Sequence, residues 1–462
     1  MKKKLSLIFI FLYSCSLFAQ FNKSAKIDQL IRELPQESNV GVAVYDLTAK
    51  KYVYTFQADK LCRPASTMKL LTTISALDQP KGFEPFYTTV EYDGIIENDT
   101  LKGDLYLVGG FDPEFSDSDL NSLVDAIQQH KLKVITGSIY GDVSMKDSLY
   151  WGAGWAWDDT PASFQPYLSP LMLNKGVIDL SISPSIKGEP AQIEILPKSS
   201  YYTLYNETLS YTDSLGAPLV TRDWLAHKND VLVKGNITKT MKRSLNIYRP
   251  ERFFIHTFAE RLSEKGVTVL GACGIKKRNS SSSPIASVET PITKVVKNVL
   301  KESDNLGAEA LFYRMAAQYN HTEVSATDAI ERIKDQIEHL GLQGKNYRIA
   351  DGSGLSNYNY ISPRLLVEFL SYAYEKTDLF QTVYKALPIA GIDGTLKHRM
   401  KKSPAYNNVH AKTGYITAIN TLAGYLKGQD GHFYAFAIMN QNVLTNSLAR
   451  NFQDQLCILL CE

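Results

Sequence analysis

Three short stretches of the chain carry residue types that could act together as a catalyst. The first is Ser66-Thr67-Met68-Lys69, two residues after Pro64. Positions i and i+3 share a helix face, so the Ser66 hydroxyl and the Lys69 amine can meet if Pro64 opens a helix there. A serine hydroxyl is a weak nucleophile until a base takes its proton, and a lysine can be that base when burial and a second cation lower its pKa. A helix N-terminus also favours negative charge developing beside it. The second stretch is Ser303-Asp304-Asn305, ahead of the helically spaced Leu306, Ala310 and Leu311. The third is Lys412-Thr413-Gly414, leading into an extended run from Tyr415 to Leu426. A lysine and a hydroxyl there could hold a substrate carboxylate, and glycine in a strand suggests the close approach of another backbone or a ligand. Each stretch alone is a weak signal. Ser-x-x-Lys arises by chance roughly twice in a chain this long. Ser and Asp also favour ordinary helix N-caps, and Ser244-Leu245-Asn246 fits the second pattern equally well.

The surrounding sequence supplies elements that could position these groups. Lys26 to Leu34 has helical spacing, and Gly41 to Tyr45 with Tyr52 to Phe56 reads as a hairpin turning at Ala49-Lys50-Lys51. A helix follows from Pro64 through Leu70, Leu71 and Ile74. Near the far end, Thr421 to Lys427 and His432 to Met439 form a second hairpin, and a final helix spans about Ser447 to Leu460. These outer parts could pair into one antiparallel sheet covered by helices. The middle, from about Glu84 to Ile275, reads instead as many short strands, among them Asp104 to Val108, Val134 to Tyr140, Val177 to Ile182 and Gln192 to Leu196. Glu251 to Lys265 is its one clear helix, and Arg278 to Pro284 reads as an exposed linker. The expected organisation is a β-rich insertion carried between two halves of an α/β core.

Composition narrows the function classes. The 462 residues are 44% hydrophobic and 21% charged, which excludes a disordered chain, a collagen-like fibre and a coiled coil. Lys+Arg is 50 against 48 for Asp+Glu. Three of those cations are Lys2, Lys3 and Lys4, so the remainder is near neutral and offers no footprint for nucleic acid. Lys2 to Lys4, the apolar run Leu5 to Tyr13 and the small residues ending at Ala19 read as a secretory signal peptide over residues 1–19. Leu12-Tyr13-Ser14-Cys15 is a loose lipoprotein box in which Cys15 would be lipidated. The expectation is an exported protein, soluble or peripheral to a membrane. Beyond Ala19, Cys62, Cys273, Cys457 and Cys461 are too few for a disulfide scaffold, and a Cys62–Cys273 bond is left open by the sequence. No zinc pattern occurs, and neither a metal nor another cofactor is expected.

Taken in order, Ser-x-x-Lys, Ser-x-Asn and Lys-Thr-Gly form the three-part signature of penicillin-recognising serine enzymes. The chain resembles the D-alanyl-D-alanine carboxypeptidase/endopeptidase family, the low-molecular-mass class C penicillin-binding proteins, over nearly its whole mature length. Gly103-Asp104-Leu105-Tyr106-Leu107-Val108-Gly109-Gly110 with Asp112-Pro113 is similar to one family stretch, and Gly154-Trp155-Ala156-Trp157-Asp158-Asp159 to another. Ser303 to Leu311, Asp351 to Ser356 with Ile361-Ser362-Pro363, and Ala411 to Gly414 resemble three further blocks. The first two motifs lie 237 residues apart, and a large insertion there is a mark of this family.

The resemblance implies an α/β (α+β) penicillin-recognising serine hydrolase fold, an antiparallel sheet flanked by helices. It implies a catalytic domain in two parts, residues 20–83 and 284–462, around an insertion of two lobes at 84–283. It implies that Ser66 attacks the carbonyl of the penultimate D-alanine, with Lys69 as general base and Ser303 and Asn305 relaying protons and orienting substrate. Lys412 and Thr413 would bind the terminal carboxylate, and Gly414 completes that motif. The backbone N–H groups of Ser66 and Tyr415 would form the oxyanion hole, and Asp159 and Phe164 would contact the free amino end of the peptide's diamino acid. The implied partners are peptidoglycan stem peptides, with β-lactam antibiotics as inhibitors; the oligomeric state is left open. Asn357 replaces an arginine found in Gram-negative relatives, Thr417 replaces a family glutamine, and Gly307 replaces a bulkier residue. The first two departures bear on side-chain specificity, and Gly307 would loosen its helix. A β-lactamase or esterase of the same fold and a non-catalytic wall-binding protein are the competing readings. The long insertion argues against the first, and retention of all the motif residues against the second.

Overall fold

The computed structural model describes residues 23–319 and 322–462. The expected signal peptide and Cys15 lie outside the described residues. The described chain forms two compact units, one of residues up to Pro80, Val296–Asp304 and Ile330–Glu462, the other of Lys81–Val295 and Asn305–Ala329.

The first unit is built on a five-stranded sheet. Its order is His410–Ile416, Ile419–Lys427, Phe433–Gln441, Asn39–Asp46 and Lys51–Phe56, and every neighbouring pair is antiparallel. Both faces are buried, and the alternation along the strands explains how. Val42, Val44, Leu422, Phe436 and Ile438 share a core with Phe452 and Leu456 of the final helix, Asn446–Cys461. Gly41, Ala43, Ala435 and Ala437 alternate with those large residues. These small residues let helix Pro363–Glu375 lie close: a Cβ on Gly41 would come within 2.7 Å of Pro363 Cγ. That helix begins where Ser362 accepts a bond from Leu365 N at 3.2 Å and Pro363 takes the first turn. Helix Met68–Leu77 packs against it and is buried on all sides, with Lys69 among its buried residues. A 3₁₀ turn, Ala65–Thr67, leads into it, and Ala65 sits at φ 47°.

The second unit is β-rich. Phe86–Glu97 and Thr100–Gly109 form a long antiparallel hairpin. Ser283–Thr290 joins one side, while Val134–Ile135 and Ile139–Asp142 add parallel strands on the other. Two three-stranded sheets accompany this one. The hairpin, both smaller sheets and helices Asp117–Gln129 and Pro250–Glu264 contribute to one apolar core. Three local readings of the sequence need correction. Asp117–Gln129 is a helix in a region read as strands, opened by a Ser116/Asp119 capping box. The expected strand Val134 to Tyr140 is two strands broken at Gly137, whose position leaves only 2.3 Å between a Cβ and Gly103 O. Arg278 to Pro284 is exposed but tied down: Arg278 and Ser282 bond Glu91, Asn279 bonds Asp93, and Ser283 already pairs with Tyr92.

All four described cysteines are free; Cys62, Cys457 and Cys461 are buried and Cys273 is exposed. Among the described residues no helix is long and apolar enough to cross a membrane.

Candidate active site

Ser66 lies in the 3₁₀ turn and Lys69 in the first turn of the helix that follows. The Lys69 amine is 2.9 Å from Ser66 Oγ and also donates to the Ser353 carbonyl at 2.7 Å. Lys69 is 0% exposed, whereas Ser66 keeps partial access to solvent. Two glycines hold this turn in place. A Cβ on Gly354, which has φ +78°, would fall 1.9 Å from Ala65 O. One on Gly414 would meet Thr421 Oγ1 at 2.1 Å, Pro64 O at 2.8 Å and Ser66 N at 2.9 Å. The Lys-Thr-Gly strand therefore lies directly against the serine turn because residue 414 has no side chain. Thr421, opposite Gly414 in the sheet, fixes the contact by donating to Pro64 O at 2.7 Å.

The third stretch also meets the second. Lys412 is 0% exposed, and its amine donates to Ser303 Oγ at 2.9 Å and to the Thr413 carbonyl at 2.7 Å. Burial pushes the Lys412 amine well below the ordinary lysine range, and the positive charge of Lys69 pushes it the same way. Ser303 occupies the left-handed region at φ 64°, a conformation that costs a non-glycine residue about 1 kcal/mol or more. Thr413 Oγ1 lies 2.7 Å from Thr395 Oγ1. Ser66, Ser303, Thr413, Gly414 and Tyr415 line one cleft of about 410 Å³. Tyr415 is 52% exposed at its edge.

Asn305 opens helix Asn305–Ala317 and donates from Nδ2 to the Phe164 carbonyl at 2.7 Å. The second motif and the predicted Phe164 are thus tied through the backbone, while the Phe164 ring is 49% exposed. Asp159 closes a 3₁₀ turn, Trp157–Asp159, and is partly exposed. Partial burial raises its carboxyl pKa, and neighbouring Asp158 adds to the effect.

Several participants escaped the sequence reading. Ser353 acts through its backbone carbonyl, which has no signature in the side chain. Thr395 lies in a 3₁₀ turn, Gly394–Leu396, with no motif, and Thr421 read only as a strand residue. Lys397, His398 and Arg450 line the same cleft. Among the described residues, no cluster of three or more His, Cys, Asp or Glu is placed to hold a metal.

The description "D-Ala-D-Ala carboxypeptidase 3 (S13) family" matches residues 23–462. The chain belongs to this family. It is accordingly a serine-type D-Ala-D-Ala carboxypeptidase with the penicillin-recognising serine hydrolase fold. It is 27% identical over 436 residues to D-alanyl-D-alanine carboxypeptidase DacB of Haemophilus influenzae, covering 92% of this chain and 89% of that one. It is 28% identical to D-alanyl-D-alanine carboxypeptidase of Actinomadura sp. strain R39, covering 94% and 84%. In fold it is similar to the crystal structure of penicillin binding protein 4 (dacB) from Haemophilus influenzae, with TM-score 0.82 at 23% identity over 93% of this family member and 99% of that chain.

Proposed function

We propose that this carboxypeptidase works outside the cytoplasm, trims peptidoglycan stem peptides through a serine acyl-enzyme, and also opens D-Ala–diamino acid cross-links. The observation that carries the reading is the fully buried Lys69 amine 2.9 Å from Ser66 Oγ. In this mechanism Lys69 takes the Ser66 proton, and Oγ forms a bond to the carbonyl carbon of the penultimate D-alanine. Burial and the Lys69 charge depress the Lys412 amine, so two protons on this pair of amines are disfavoured. The carbonyl oxygen becomes an oxyanion, which the N–H groups of Ser66 and Tyr415 receive, each worth about 3–4 kcal/mol. Collapse breaks the peptide bond, and the leaving amine takes a proton passed through Ser303, with Asn305 orienting the peptide. Water then attacks the ester and restores Ser66.

Lys412, Thr413 and Gly414 hold the terminal carboxylate in this reading. Asp159, with no cation paired to it among the described residues, and Phe164 receive the amino end of the diamino acid. β-Lactams, which present a carboxylate and a strained amide, would acylate the same serine and act as inhibitors. A signal peptide at 1–19 and a periplasmic location agree with the wall substrate.

The test is incubation with labelled penicillin followed by mass spectrometry. The expected result is one slowly cleared adduct on Ser66, absent from Ser66→Ala. Rapid turnover would instead mark a β-lactamase, and no adduct would sink the acyl-enzyme mechanism.

A further inference from the structure

The second unit contains a cavity of about 740 Å³ whose wall includes Arg249, Glu251, Arg252, Lys277 and Glu323. Nothing in the acyl-enzyme mechanism uses it. Some of its charges are already satisfied. Lys146 bonds Asp147 Oδ1 at 2.7 Å, and Lys276 pairs with Asp104 at 3.4 Å. Arg249, Arg252 and Lys277 differ: among the described residues none of them has a carboxylate within ion-pair distance, and the two arginines share only the charge of the buried Glu251. At its wall sits Glu251, 5% exposed, in the first turn of helix Pro250–Glu264. Its Oε1 accepts from Tyr150 OH at 2.8 Å, but its buried Oε2 has no hydrogen-bond partner. A buried carboxylate oxygen left without a donor costs about 1–3 kcal/mol or more, and Glu251 lines the cavity.

We infer that this cavity is a second, non-catalytic binding site for a peptide that carries free carboxylates together with N–H donors. The carboxylates meet Arg249, Arg252 and Lys277. An amide or ammonium N–H completes Glu251 Oε2, and a ligand amino group meets Glu323. A stem peptide built on a diamino acid has all three features, so the assignment of the ligand rests on the wall-peptidase reading above. The site would hold one stem peptide of the polymer without cleaving it, raising the local concentration of neighbouring stems at the enzyme.

The test separates the two sites. Ser66 is first acylated with penicillin, and binding of a disaccharide stem tetrapeptide, which lacks the D-Ala-D-Ala end, is measured by calorimetry. The expected result is saturable one-to-one binding to the acyl-enzyme. Arg252→Glu combined with Lys277→Glu should weaken it at least tenfold while the rate of penicillin acylation stays unchanged. Glu251→Gln, which keeps the shape but places an N–H where the ligand needs an acceptor, should weaken it severalfold. Absence of binding to the acyl-enzyme, or equal binding by the charge-reversed variant, overturns the proposal. Displacement of the peptide by inorganic phosphate at equal concentration overturns the peptide assignment in favour of a general anion site. Failure of penicillin to acylate Ser66 would count against the mechanism instead, and the binding comparison could still be made on the unmodified chain.

Discussion

Two buried cations, Arg222 in the second unit and Lys412 in the first, are held in opposite ways. In the second unit Arg222 is 2% exposed, and its guanidinium meets four acceptors. It donates to Asn246 O at 2.7 Å, Asn246 Oδ1 at 2.8 Å, Lys228 O at 2.9 Å and Tyr167 OH at 3.1 Å. In the first unit Lys412 is equally buried, yet it is given one hydroxyl and one carbonyl and is set near a second buried amine. Lys301 of the same unit shows that a carboxylate could have been supplied, since it pairs with Asp393 at 2.8 Å. A buried charge that only holds a fold is hydrogen-bonded on several sides, as Arg222 is, or paired with a carboxylate, as Lys301 is. One left beside a like charge, as Lys412 is, costs stability and has its acidity altered, a mark of groups at reacting sites. The contrast therefore separates structural from chemical burial without reference to any motif.

The largest effect should come from Lys69→Met. The substitution removes the base and keeps the volume but strands the buried Ser353 carbonyl, so a stability loss of no more than about 1–3 kcal/mol is expected. Penicillin acylation and peptide cleavage should fall about 10³–10⁴-fold, roughly 4–5.5 kcal/mol in barrier. Stopped acylation kinetics and thermal melting on the same samples check both halves. A variant that lost stability in proportion to activity would put Lys69 on the structural side of the comparison.

Arg222→Met should do the reverse. It strands Asn246 Oδ1 and two backbone carbonyls in a dry interior, so destabilisation of about 3–4 kcal/mol is expected. The acylation rate of the folded fraction should not change. Denaturant unfolding alongside penicillin labelling reads both quantities.

Gly414→Ala should fall between these two in kind and below them in size. Its Cβ would lie 2.1 Å from Thr421 Oγ1 and 2.9 Å from Ser66 N, so the strand must retreat from the serine turn. About 1–3 kcal/mol of overpacking is expected, together with a fall in kcat/KM, since the retreat also moves Tyr415 and Thr413. Unchanged acylation kinetics would mean that the strand's close approach does not matter to the chemistry.

How much of this was legible in the sequence depends on where each partner came from. The Ser66–Lys69 pair was readable because both residues lie within one helical turn, and the sheet of the first unit was readable because its hairpins alternate regularly. The Lys412–Ser303 bond could be anticipated only through the order of the motifs, since 109 residues separate them. The Ser353 carbonyl was not readable, because a backbone acceptor leaves no mark on residue type. The second unit was harder. Its helix Asp117–Gln129 carries a capping box, but the flanking residues are rich in turn formers and the local pattern was taken for strands. Arg278, Asn279 and Ser282 looked like a linker because Glu91 and Asp93, which hold them, lie more than 180 residues away.

The smallest effect is a pH dependence that belongs to Lys412 alone. Its folded-state pKa is depressed, first by burial and then by Lys69, while the unfolded chain keeps a value near 10.5. Between those two values the unfolded state binds a proton that the folded state does not, so stability rises with pH. Below the depressed value both states are protonated and the penalty for burying the charge is felt in full. Above 10.5 both are neutral and the penalty is gone. Lys412→Met removes the group and should be the more stable form at neutral pH, with the gap to the parent closing as pH climbs towards 10.5. Melting temperatures of the two proteins across that range measure the gap directly. A gap between parent and Lys412→Met that did not change with pH would mean that this amine keeps an ordinary acidity in the fold, and the distinction drawn between the two buried cations would fail at its most specific point.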